Sequence, residues 1–146
     1  MRITQEADYA LRMVSLMAQS ESVLGAASMA DAVAVPPRFA VKILRKLSQC
    51  GLVHASRGVA GGYRLAVDPL TLTVRQVIEA IDGPTYISRC LSEGHVCLNN
   101  SNKTCCRFHN LFGALNTLLT ERLDRVTIGM MVDTSLPLED LLLVVK

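Results

Sequence analysis

The sequence predicts a mainly α-helical fold with one two-stranded hairpin, and three observations carry that prediction. Apolar residues recur at helical spacing through most of the first fifty positions, two short strand-like runs flank a glycine-rich turn, and one long apolar seam lies near the C-terminus. The chain has 146 residues, the size of one domain with an appended element.

Thr4 is placed to cap a first helix, with Glu6 and Asp8 in its first turn. Ala7, Ala10, Leu11, Val14 and Met17 then recur at helical spacing, and the helix is expected to end near Ser20. A short second helix is expected over Ser28 to Ala34. Pro36 and Pro37 break it, because proline lacks the donor that a helix interior needs. Proline suits a first turn, however, so a third helix is expected to begin at Pro37. Its residues Ala40, Ile43, Leu44 and Leu47 form a core-facing stripe, while Arg38, Lys42, Arg45 and Gln49 form another face. Gly51 is suited to the left-handed cap that ends the helix.

Leu52 to Arg57 and Tyr63 to Val67 read as two strands around Gly58, Gly61 and Gly62, whose lack of a side chain permits positive φ. A helix pair followed at once by a basic-edged hairpin is the winged helix-turn-helix pattern. Thr73 is expected to cap a fourth helix that runs to Ile81 and stops at Asp82, Gly83 and Pro84. From Thr85 to Thr104 the chain is irregular and too long for a mere connector. The last strong element runs from about Cys106 to Val126, with Phe108, Leu111, Phe112, Leu115, Leu118, Leu119 and Leu123 in one seam. A seam of that length on a terminal helix calls for a partner helix, most simply from a second copy of the chain. The apolar tail from Leu138 has no evident role. The expected organisation is a winged helix-turn-helix domain over 1–83, a cysteine-bearing sensor loop over 84–104, and a dimerisation helix with its tail over 105–146.

Net charge is only +2, but its distribution is uneven. Between Ala32 and Val67 there is no acidic residue, while Arg38, Lys42, Arg45, Lys46, Arg57 and Arg64 all fall there; elsewhere nine basic residues face thirteen acidic ones. A local charge of +6 on an otherwise acidic chain is the footprint of a polyanion site, because cations that neutralise phosphates release condensed counterions. The third helix is the recognition candidate, since a helix fits the major groove of double-stranded DNA. Arg38 is the expected base reader, and Lys42, Arg45 and Lys46 are expected to hold phosphates. Phe39 and the wing residues Arg57, Gly58 and Arg64 complete the DNA-binding set. No unbroken apolar run approaches the roughly 20 residues that span a bilayer, and the N-terminus lacks a signal-peptide pattern, which places the chain in the cytoplasm. No general acid–base pair and no nucleophile with its base is visible, so the chain is not expected to be an enzyme.

Four of the five cysteines crowd together as Cys90-x6-Cys97-x7-Cys105-Cys106, with His109 three residues on. In a reducing compartment such a cluster reads as metal-binding or redox-active. Thiolates with a histidine suit an iron-sulfur cluster, either 2Fe-2S or 4Fe-4S, a Cys3His zinc site uses the same donors, and adjacent thiols also support reversible disulfide exchange. Cys106 and His109 share one face of a helix start, whereas Cys105 lies about 100° round it, which favours Cys106 as the ligand. Cys50, at the end of the third helix, is expected to be a small buried residue.

Met1-Arg2-Ile3-Thr4, Leu44-Arg45-Lys46-Leu47 with Gly51-Leu52-Val53, the wing Arg57-Gly58-x-x-Gly61-Gly62-Tyr63, and the loop cysteines before Thr127-Ile128-Gly129 together resemble the IscR, NsrR and RirA group of bacterial transcription regulators, the Rrf2 family. The resemblance covers nearly the whole chain. It implies a homodimer on a DNA operator, with an iron-sulfur cluster near the dimer helix controlling DNA recognition. It places the family's cysteine ligands on Cys90, Cys97 and Cys106. The fourth ligand falls on His109, as in IscR-like members, or on Asp8 supplied by the other subunit, as in NsrR-like members. The gaps between cysteines are longer than in the family pattern, and Cys105 is additional. A cluster-free thiol- or zinc-containing regulator controlled by a protein partner is the alternative.

Overall fold

The structure is a computed structural model that describes residues 3–58, 61–98 and 106–145. Seven helices and one hairpin are present among these residues: α1 (Gln5–Ala18), α2 (Ala26–Ala32), α3 (Pro37–Gln49), β1 (Val53–Ser56), β2 (Gly62–Leu65), α4 (Val74–Asp82), α5 (Arg107–Arg125), α6 (Ile128–Val132) and α7 (Leu138–Val145). The mainly helical fold with a two-stranded antiparallel wing agrees with the expectation. No described helix is long and apolar enough to cross a membrane.

Local chemistry explains most boundaries. Thr4 caps α1 by accepting from the Ala7 N–H, and Thr73 caps α4 in a reciprocal capping box with Gln76. Pro37 opens α3, and Gly51 follows it at φ +74°. The stripe Ala40, Ile43, Leu44 and Leu47 is fully buried against Ala10, Met13 and Val14 of α1 and Met29 of α2. Burying Ile43, Leu44 and Leu47 stabilises the head by about 2 kcal/mol each. The second helix begins at Ala26 rather than Ser28, with Gly25 as its cap, and Ala34 takes a positive φ of 54° that turns the chain toward α3.

The hairpin pairs Val53 with Leu65 and Ser56 with Gly62. Its inner edge is tied to Leu24 by two backbone hydrogen bonds, Leu24 N–H to Tyr63 O and Tyr63 N–H to Leu24 O, both 2.9 Å. The α2-side segment thus anchors the wing to the helical core.

After α5 the chain returns to the head. Val74 N–H donates to Val126 O and Ile128 N–H donates to Leu72 O, and Ile128 is buried in the same core as Met13 and Leu72. Helix α6 thus adds Ile128 to the core of the N-terminal unit. Gly129 makes this possible: a Cβ there would lie 2.8 Å from Leu70 Cδ2. Helix α5 buries none of its residues fully, and Phe108, Leu111, Leu115 and Leu118 are each 45–70% exposed. The tail forms α7, which packs against α5 and leaves Leu138, Leu142 and Leu143 exposed.

Candidate DNA interface and cysteine segment

Opposite its buried stripe, α3 presents Arg38, Val41, Lys42, Arg45 and Gln49, all exposed. Arg38 stacks its guanidinium 5.2 Å from the Phe39 ring centre. Phe39 is half-buried, edge-on to Tyr9 of α1 at 5.9 Å, and so acts as the platform on which Arg38 rests. Arg45 makes no ion pair among the described residues.

The two lysines differ from the arginines. Lys42 Nζ lies 3.1 Å from Glu6 Oε2, and Lys46 Nζ lies 3.2 Å from Glu6 Oε1 and 3.0 Å from the Ile81 carbonyl oxygen. Lys46 is the more enclosed of the pair, so of the expected phosphate holders it is the least accessible to a duplex. Burial pushes the Glu6 carboxyl up, but hydrogen bonds and charge from both lysines outweigh it and hold the group below the ordinary carboxylate range.

The wing contributes Arg57 and Arg64, both exposed, beside Gly58 at φ +106°. Val59 and Ala60 lie outside the described residues. Between α3 and the hairpin runs an open groove lined by Val41, Arg45, Ser48, Gln49, Ala55 and Tyr63. Ser48 and Tyr63 were not singled out for this face from the sequence. Ser48 sits at the edge of the exposed arc, and its Oγ is buried with no hydrogen-bond partner among the described residues.

Cys90 lies in a single 3-10 turn (Arg89–Leu91), half-buried, with Ser88 Oγ 3.3 Å from its Sγ. Cys97 and Cys106 are also half-buried free thiols, and Cys106 occupies the N-cap position of α5. Cys105 lies outside the described residues. His109 is one turn into α5, and its Nδ1 is buried without a hydrogen-bond partner among the described residues. Asp8 pairs with Arg12 at 2.6 Å on α1. Cys50 is exposed rather than buried, with Sγ 3.9 Å from the Ala80 carbonyl, because it follows the last core residue of α3 and falls at the edge of α4.

The donors therefore fit an iron-sulfur cluster in kind: three free thiols, and a buried imidazole nitrogen that lacks a partner. No three His, Cys, Asp or Glu residues among those described converge into a metal-holding group within the single chain.

The root of the cysteine segment is firmly held. Thr85 N–H donates to Glu79 Oε1 at 2.9 Å, Ile87 N–H donates to Asn116 Oδ1 at 2.9 Å, and Asn116 Nδ2 donates to the Thr85 carbonyl at 3.1 Å. Arg75 joins Glu79 at 3.0 Å to Asp124 at 2.7 Å. Burial pushes the Glu79 carboxyl up, yet the Thr85 N–H and the Arg75 guanidinium more than offset this and lower it. Head, loop root and α5 thus meet in one polar network, which nothing in the sequence spacing announced.

Comparison with known proteins agrees with this architecture. The Rrf2 family model, described as an iron-dependent transcriptional regulator, matches residues 3–134. The chain is 28% identical over 131 residues to the regulator IscR of Vibrio vulnificus, covering 88% of this chain and 76% of that one. It is 33% identical over 139 residues to the helix-turn-helix regulator Rv1287 of Mycobacterium tuberculosis, covering 94% and 84%. The solved structure of CymR, the global cysteine regulator of B. subtilis, superposes with a TM-score of 0.66 at 21% identity over 90% of this chain and 96% of that one. At that identity the likeness concerns the fold. With the family match spanning most of its length, the chain belongs to the Rrf2 family of transcription regulators.

Proposed function

We propose that this regulator binds a double-stranded DNA operator as a homodimer in the cytoplasm, and that an iron-sulfur cluster on its cysteine segment controls the binding. In this reading Arg38 reads base edges from the major groove, while Arg45, Arg57 and Arg64 engage the backbone with Gly58 at the wing tip. Lys42 and Lys46 border that face. The single observation that carries the DNA reading is the exposed basic arc of α3, a helix with no acidic residue of its own, held rigidly by a fully buried opposite stripe and flanked by a basic wing.

Cys90, Cys97 and Cys106 would hold the cluster, with a fourth ligand from His109 or from Asp8 of the second copy. The His109 Nδ1, buried without a hydrogen-bond partner among the described residues, supports the former; Asp8 would first have to leave Arg12. When bound, the cluster supplies a group that iron limitation, oxidant or nitric oxide removes or alters. The chain's own contribution is the root at Thr85 and Ile87, through which ordering of the segment reaches both α4 and α5.

The dimer reading rests on the α5 seam, in which Phe108, Leu111, Leu115 and Leu118 remain exposed. A cluster-free thiol or zinc regulator under the control of a protein partner is the second reading, favoured by the lack of a converged donor group among the described residues.

Anaerobic purification, followed by visible absorption and by iron, sulfide and zinc assays, separates the two readings. A coloured protein with stoichiometric iron and sulfide is expected, with DNA affinity that changes when the cluster is removed. A colourless protein with zinc or no metal would overturn the cluster while leaving DNA binding standing. In the coloured protein, His109→Ala and Asp8→Ala are compared by absorption; an unchanged spectrum in both would remove both from the ligand set.

A further inference from the structure

We infer that Glu6 is a positioning residue for DNA reading: by pairing with Lys42 and Lys46 it locks the recognition helix and offsets one of its two lysine charges, weakening unspecific attraction to DNA. The inference rests on α3 being the recognition helix.

Glu6 sits at the junction of three helices. It belongs to the first turn of α1, yet it reaches two successive turns of α3 through Lys42 Nζ at 3.1 Å and Lys46 Nζ at 3.2 Å. Lys46 then reaches the last turn of α4, donating to the Ile81 carbonyl at 3.0 Å. The same corner is closed from the other side, because Thr4 N–H and Thr4 Oγ1 donate to Asp82 at 3.2 and 2.6 Å. The Glu6 side chain is only 18% exposed and Lys46 32%, so that arm of the clasp is an enclosed contact, whereas Lys42, 57% exposed, pairs with Glu6 at the surface and is the arm more open to screening.

Two consequences follow from the charges. Helix α3 carries four cations, and one carboxylate is shared by the two that are lysines. The cations left without an ion pair among the described residues are Arg38 and Arg45. Guanidinium groups recognise base edges and phosphates through directed, paired hydrogen bonds, whereas an ammonium acts largely as a point charge on any phosphate. The clasp therefore lowers the sequence-independent part of the attraction while holding the arginines in register. Removing the carboxylate charge should raise unspecific affinity and reduce discrimination.

The test uses the full chain, a duplex selected by the wild type from a random pool, and an unrelated duplex of equal length. Binding is measured across salt concentrations for the wild type, Glu6→Gln, Lys42→Gln, the double variant, Arg38→Ala and Arg45→Ala. Glu6→Gln should bind the unrelated duplex several-fold more tightly, with a log–log salt slope steeper by about 0.9 for each lysine freed. Its preference for the selected duplex should fall. Lys42→Gln should reduce the slope more in the Glu6→Gln background than in the wild type. A merely structural role would weaken binding to both duplexes and leave the slope alone.

If Arg38→Ala or Arg45→Ala weakens binding while Glu6→Gln keeps the wild-type slope and preference, the clasp is wrong and the recognition helix stands. Wild-type binding by both arginine variants would reject α3 as the recognition helix and the inference with it. Should Glu6→Gln fail to fold, Lys42→Gln is compared with Arg45→Ala. The clasp requires the lysine variant to lose less slope, and equal losses overturn it.

Discussion

Gly62→Ala tests how the wing is held. A methyl group at Gly62 would lie 2.6 Å from the Leu24 carbonyl oxygen and 2.8 Å from Val23 Cγ1, where comfortable carbon contacts are about 3.5 Å or more. To relieve this, the Leu24 segment and β2 must part by several tenths of an ångström. The two 2.9 Å hydrogen bonds between Leu24 and Tyr63 then stretch toward the limit of useful geometry. Overpacking costs about 1–3 kcal/mol and a weakened backbone hydrogen bond about 1 kcal/mol, so a loss of about 2–4 kcal/mol is expected. For a chain of this size that lowers Tm by about 5–10 °C. Gly58 is the internal control, since it takes φ +106° but a Cβ there meets nothing within 4 Å among the described residues. Alanine at Gly58 carries only the backbone strain, about 1–2 kcal/mol. Thermal unfolding followed by circular dichroism should rank wild type above Gly58→Ala above Gly62→Ala, and DNA affinity should fall with Gly62→Ala as the wing moves. A Gly62→Ala variant that melts with the wild type would refute the claim that Leu24 anchors the wing.

Three further predictions concern the interface, the dimer and the loop root. Arg57→Ala should weaken DNA binding and flatten the salt slope by about 0.9; unchanged affinity and slope would remove Arg57 from the interface. Leu115→Asp, in the exposed α5 seam, should yield a folded monomer of 15.9 kDa by sedimentation, with weaker operator binding, and a variant that keeps the wild-type mass would count against the seam. Glu79 has its carboxyl lowered in the folded chain, so its stabilisation is complete above the unfolded value, near 4.3 for a glutamate, and is lost as pH falls through the folded one. Tm measured down through that acid range should therefore fall less steeply for Glu79→Gln than for the wild type, and parallel curves would show that the network at Thr85 contributes nothing.

Where one segment carries its own instructions, the sequence was readable. The caps at Thr4 and Thr73, the stop at Gly51 and the two faces of α3 follow from spacing and side-chain chemistry within one or two turns. What escaped depends on distant partners. Gly61 and Gly62 look like turn residues that need positive φ, yet only Gly58 of the three has it. The other two are glycine because backbone lies where a Cβ would go. Helix α6 is five residues long and too short for a periodic signal, so its place in the core comes from Leu72 and Leu70 rather than from its own pattern. The basic arc was legible as charge, but the difference between its lysines and arginines was not, because Glu6 lies 36 positions before Lys42.

The cysteine segment poses the converse problem, since its donors were plain in the sequence while its attachment was not. A segment held at one end transmits order only as far as its root is rigid, and here the root is bonded to two bodies at once. Glu79 belongs to α4, which also receives Lys46 of α3 through the Ile81 carbonyl. Asn116 belongs to α5, whose exposed seam is the proposed contact with the second copy. Folding of the cysteines around a ligand would thus act on one corner that both α3 and α5 share. In the proposed dimer the distance between half-sites would depend on how the two heads are set, so a small rotation at that corner would be enough to change which operator fits. On that account Asn116→Ala should leave ligand binding by the cysteines intact while reducing the difference in operator affinity between the loaded and unloaded protein. An undiminished difference would mean that the signal reaches the head by another route.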